Sequence, residues 1–184
     1  MVEAKSRLIA YLGSLGINID NDIFESRVKA QKMAYILQTL LDTKLYEDFN
    51  FYIRGPYSRK LAAEYFSDSA TFKEGKSDYR LTAQESEEIK RVRPTISALN
   101  TIDLEIVASL LYLRKELHLD EEGAELRLHE LKPHIKLEDI WRGTNTIKKL
   151  FLTDQLKEKL LKSVKEEMRG WDELSNESLD RFGQ

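Results

Sequence analysis

The run IVASLLYL at residues 106–113 constrains this chain more than any other segment. Apolar side chains at almost every position of a helix need neighbours on all sides, so such a helix lies inside a protein and not on its face. The pattern predicts a helix from about Ile102 to Leu117 that forms the centre of the core, with the other elements wrapped around it.

The rest of the chain supplies the wrapping. Leu8, Ile9, Leu12 and Leu15 share one face of a helix over residues 3–15, and Gly16 ends it. A second helix from about Glu25 to Asp42 buries Ala30, Met33, Ala34, Leu37 and Leu41, while Arg27, Gln31, Tyr35, Gln38 and Asp42 form the neighbouring stripe. FNFYIR, residues 49–54, reads as a strand halted by Gly55-Pro56. Ser58 then caps a helix reaching about Ser67 and burying Leu61, Ala62, Tyr65 and Phe66. TFKEGKSDYRLT, residues 71–82, reads as a hairpin around Glu-Gly-Lys-Ser.

Thr82 and Glu85 form a capping box that opens the next helix, which must bend or break at Pro94. A charged helix covers Asp120 to Leu131, and amphipathic helices follow over Leu137–Phe151 and Asp154–Met168. The predicted fold is mainly α (α+β): a helical domain with a small β-hairpin in a winged-helix-like element. One domain is expected over residues 1–169, with a winged-helix-like part at 1–82, a helical part at 83–169 and a polar tail at 170–184.

Cysteine is absent, which removes disulfides, thiol nucleophiles and thiolate metal clusters. GxSxG, GxxxxGK[ST] and GxGxxG are absent too, so the common hydrolase and nucleotide-binding fingerprints do not occur. His118, His129 and His134 lack a histidine partner one turn away, and no metal site or cofactor is expected. The formal charge is -3, with 12 Lys and Arg against 11 Asp and Glu in residues 1–80 and an acidic excess beyond, so any basic face falls in the first half. The N-terminus alternates charged and apolar residues instead of carrying a signal peptide or membrane span, which suggests a cytoplasmic protein.

The informative constellation lies in that first half. Arg27, Lys29, Gln31, Lys32 and Tyr35 stand on the second helix, and Arg54, Gly55, Pro56, Tyr57, Ser58, Arg59 and Lys60 follow the strand. One reading is structural: Gly55-Pro56 makes a turn needing positive φ, Tyr35 and Tyr57 pack over it, and Gln31 hydrogen-bonds its backbone. The other reading is a binding surface, on which cations interleaved with tyrosines grip an acidic partner or a phosphate backbone.

R-V-K-A-Q-K-M-A-Y-I-L, residues 27–37, resembles the K-x-Q-K-x-x-Y-x-L helix of YwgA-like proteins, and F-Y-I-R-G-P-Y-S-R-K-L, residues 51–61, resembles their F-x-x-Y-G-P-Y-S-x-x-L turn. Those proteins belong with the SocA-like, or Panacea, domain group. Y-R-L-T, L-E-I-V-A-S-L-L-Y-L and L-K-P are similar to that group's later helices, so the resemblance spans about residues 3–152. Arg54 departs from the aromatic residue often found before Gly-Pro. The resemblance implies a non-enzymatic domain whose relatives neutralise toxins as antitoxins, in one instance by adapting a toxin to a protease. The expected function is therefore a macromolecule-binding regulatory module with a protein partner, which the resemblance implies to be a toxin; the alternative is a winged-helix nucleic-acid-binding regulator. In that alternative, residues 58–67 would be the recognition helix, with only Arg59 and Lys60 to offer a duplex.

Overall fold

The computed structural model describes residues 4–153, 156, 158–166 and 168–169. Its elements run α1 (Ala4–Ser14), α2 (Phe24–Leu40), β1 (Asn50–Tyr52), β2 (Gly55–Tyr57), α3 (Arg59–Ser67), α4 (Ser69–Glu74), α5 (Ala83–Ser97), α6 (Thr101–Glu116), α7 (Glu121–Leu131) and α8 (Leu137–Phe151). Among the described residues the chain thus forms a mostly helical fold with one small antiparallel hairpin. Where the sequence suggests one domain to residue 169, the chain divides into a unit over Met1–Leu150 and a second over Phe151–Gln184. In the second unit residues 158–166 are helical; Asp154 and the tail from Gly170 lie outside the described residues. Among the described residues no helix is long and apolar enough to cross a membrane.

In the first unit α6 takes the central place its composition demands, packing against α2, α7 and β2. Val107, Ala108 and Leu113 are fully buried, and α2 answers with Met33, Ala34, Ile36 and Leu37, also fully buried. Each large aliphatic side chain removed from water contributes about 1.5–3 kcal/mol, which makes this helix pair the main source of cohesion. Asn100 caps α6 by accepting hydrogen bonds from Ile102 and Asp103 N–H, and the Asp103 carboxylate returns one from the Asn100 N–H.

Thr82 and Glu85 form the capping box their spacing predicts. Glu85 also does more than cap. Its carboxylate accepts hydrogen bonds from the hydroxyls of Tyr11 and Tyr79 and from the Arg7 guanidinium, tying α1 and the segment before α5 to α5 itself. Burial alone would raise its pKa, but the donors of Tyr11, the Thr82 backbone, Arg7 and Tyr79 outweigh it and hold the carboxyl down to about 2.

Five local expectations need correction. The hairpin lies at Asn50–Tyr57, not at residues 71–82, where α4 and a non-strand segment stand instead. Gly75, taken for a turn glycine, is the left-handed C-cap of α4 at φ 66°. No wing therefore follows α3, and the winged-helix order of the first 82 residues does not form. Phe66, expected in the core, is 59 % exposed. At Pro94 α5 does not break but continues to Ser97.

Candidate functional site

β1 and β2 pair Asn50 with Tyr57, Phe51 with Pro56 and Tyr52 with Gly55, so the two-residue turn is Ile53-Arg54, and Gly55-Pro56, expected to halt the strand and make the turn, opens β2 instead. Gly55 holds φ 83°, a region costly to residues with a Cβ, and a Cβ there would lie 2.3 Å from the Ser109 hydroxyl oxygen on α6. Pro56 is tolerated because the sheet has only two strands, so its missing N–H falls on an edge. The hairpin is thereby pressed directly onto the central helix.

α2 secures the other side. Gln31 and Ser58 exchange two hydrogen bonds, the Gln31 amide donating to Ser58 O at 3.0 Å and the Ser58 N–H donating to Gln31 Oε1 at 2.8 Å. Ser58 Oγ donates to Asp48 Oδ1 at 2.5 Å while accepting from Leu61 N–H at 3.0 Å, which confirms it as the N-cap of α3. Lys32 Nζ donates to Pro56 O at 2.7 Å. The lysine is only 2 % exposed, so the expected surface cation is an interior strut.

A buried charge network lies beneath. Glu105 on α6 accepts from Lys132 Nζ at 2.5 Å and stands 3.6 Å from the Arg54 guanidinium. Desolvation lowers the Lys32 pKa to about 7; Glu105 opposes this, whereas Lys132 and Arg54 add to it. Lys132 is lowered as well, by burial first, against the pull of its Glu105 hydrogen bond.

Above Lys32 opens a recess of about 310 Å³ bounded by α2, the hairpin and α3. Arg27, Lys32 and Arg54 contribute cations to its wall, Phe24, Tyr52, Tyr57, Tyr65 and Phe66 contribute rings, and no carboxylate of the described residues lines it. Arg54 also lines a second recess of about 490 Å³ across the hairpin, with Ile53, Ile102, Glu105, His134, Ile135 and Asp139.

The structure thus brings Arg27, Gln31, Lys32, Arg54, Gly55 and Tyr57 to one recess. Ser58 and Pro56 sit behind it as supports. Arg59 lies near its mouth, with its guanidinium donating to the Tyr52 hydroxyl at 3.0 Å. Lys29 and Lys60 do not line it. Tyr35 points elsewhere, packing on Phe49 and Tyr112 and donating to Glu116 at 3.1 Å, so it does not cover the turn. Sequence reasoning missed Phe24, Phe66, Glu105 and Lys132. A signal for Lys32 was present: it falls one turn from Val28 and from Ile36, both core residues, and so on an apolar face.

Chemically, the wall offers positive charge and flat apolar surface, the combination that holds an anion attached to something greasy or planar. Among the described residues no group of three or more His, Asp or Glu side chains is placed to hold a metal ion. The chain matches no family model, no curated protein and no solved structure.

Proposed function

We propose that this chain is a non-enzymatic, antitoxin-like protein-binding module whose contact face surrounds the recess between α2, the hairpin and α3. One observation carries the reading. Large apolar side chains that the core does not use gather at this face: Phe24 at 47 %, Tyr52 at 40 % and Phe66 at 59 % exposure. Exposed apolar side chains scattered singly need no explanation, but aromatics grouped around a recess and interspersed with arginine match the composition of binding hot spots. Arg27, Arg54 and Arg59 favour a partner with acidic side chains flanking an apolar segment.

Affinity capture with the full chain, run in parallel with a Phe66→Ser/Arg59→Glu variant, tests this. Both positions are exposed, so circular dichroism and melting of the variant should match the parent. A protein retained by the parent and lost by the folded variant supports the interface. Equal retention by both places it on another face.

A further inference from the structure

Four side chains on the wall of the recess alternate cation and ring. The Arg54 guanidinium lies 5.1 Å from the Phe24 ring centre, and the Arg27 guanidinium lies 5.5 Å from the same ring and 5.8 Å from that of Phe66. A guanidinium stacked this way is stabilised through its faces, while its five N–H donors remain in the plane and open to acceptors. Protein groups claim few of them. Arg27 donates to Asn21 O at 2.6 Å, and Arg54 has Glu105 at 3.6 Å. No carboxylate of the described residues pairs with Arg27.

From this geometry we infer that the recess is a binding site for a small ring-bearing anion, a flat aromatic or heteroaromatic group that carries a phosphate or a carboxylate. The volume of about 310 Å³ reaches the lower end of the range that small-molecule sites occupy. Five of the eleven lining residues are aromatic, so a bare inorganic anion would leave most of the wall unused. Conversely, an uncharged ring would leave Arg27 and Arg54 without the acceptor their free donors favour. Lys32 lies at the same wall, 2 % exposed, where burial disfavours its charge and Glu105 is opposed by Lys132 and Arg54, so an anion entering the recess adds a favourable partner for it. The inference rests on the recess alone and not on the protein interface proposed above.

Its test needs no partner protein. Adenosine monophosphate, indole-3-acetate, adenosine and orthophosphate are titrated separately into the full chain by calorimetry at low salt. At least one of the two ring-bearing anions should bind more tightly than both adenosine and orthophosphate by about tenfold or more. Preference for the monophosphate identifies the anionic group as phosphate, and preference for indole-3-acetate identifies it as carboxylate. Arg27→Gln and Arg54→Gln should each weaken the preferred probe by about tenfold, whereas Lys90→Gln on the exposed face of α5 should not. Phe66→Ala, at an exposed ring, provides the same comparison if Arg54→Gln fails to fold. The inference is overturned if neither ring-bearing anion binds saturably, if adenosine or orthophosphate binds as well as the tighter of the two, or if the folded recess variants bind as tightly as the parent.

Discussion

Glu85 and Glu105 are equally sheltered, at 6 % and 7 % exposure, yet their surroundings differ in kind. Around Glu85 two tyrosine hydroxyls and a backbone N–H share the work with one arginine, so anion and cation balance. Around Glu105 the work falls to cations, with Lys132 on one oxygen, Arg54 near the other and Lys32 within electrostatic reach. Neutral donors can satisfy a buried carboxylate and leave nothing over; cations satisfy it and leave positive charge behind. Here the surplus lies against a recess, which separates a structural fastening from a region able to receive a ligand.

The comparison breaks most visibly at Glu105. Glu105→Gln leaves Lys132 buried without its anion and should destabilise the protein by about 3–5 kcal/mol in urea denaturation, with much of the loss restored by adding Lys132→Met. Glu85→Gln, whose neutral donors can turn to an amide oxygen, should cost clearly less. Equal losses would show that the two networks are alike.

Gly55 holds the cationic turn against α6, and Gly55→Ala combines a left-handed backbone with a steric clash at Ser109. The expected cost is about 2–4 kcal/mol, part of which Ser109→Ala should recover by removing the clashing oxygen. Failure of that rescue would mean that backbone strain alone is responsible.

Denaturation followed across pH should show the two networks in separate windows, stability rising with pH in the acid range for one and in the neutral-to-alkaline range for the other. Glu85 titrates at about 2 in the folded chain and near its ordinary value when unfolded, so its contribution is present above that value and declines as pH falls towards 2. The loss is on the order of 2 kcal/mol. Lys32 titrates at about 7 when folded, so between that pH and its ordinary range the unfolded chain binds more protons. Stability therefore rises with pH there, by up to about 1.4 kcal/mol per pH unit, and Lys132 acts in the same direction. Lys32→Met should flatten only the alkaline rise, and Glu85→Gln only the acid decline.

The smallest effect is expected at Ser109, whose hydroxyl is buried with no hydrogen-bond partner. Ser109→Ala alone should change stability by less than about 1 kcal/mol, in the stabilising direction.

Elements governed by local chemistry were legible in the sequence. Thr82 with Glu85, Ser58 before α3 and the positive φ of Gly55 depend on neighbours a few residues away, and all are found. Gly75 was misread because a left-handed glycine ends a helix as readily as it makes a turn, and only α4 packing Phe72 into the core decides between them. Lys32 reads as a surface cation because lysine usually is one, and no local pattern singles out Lys132. Their burial depends on Glu105, which lies 73 residues from Lys32 and 27 from Lys132, and no local pattern reports such a partnership. Phe24 and Phe66 gained meaning only when the fold placed them on either side of Arg27.

The pairing of α2 with α6 also sets a timetable for synthesis. Leu40 closes α2 and Glu116 closes α6, so a ribosome moving at about 5–20 residues per second takes roughly 4–15 s to travel between them. Throughout that interval the apolar stripe of Met33, Ala34 and Leu37 is complete but its main partner has not been made. A nascent chain paused before residue 101 would therefore present this stripe to chaperones, and completion of α6 would begin to cover it.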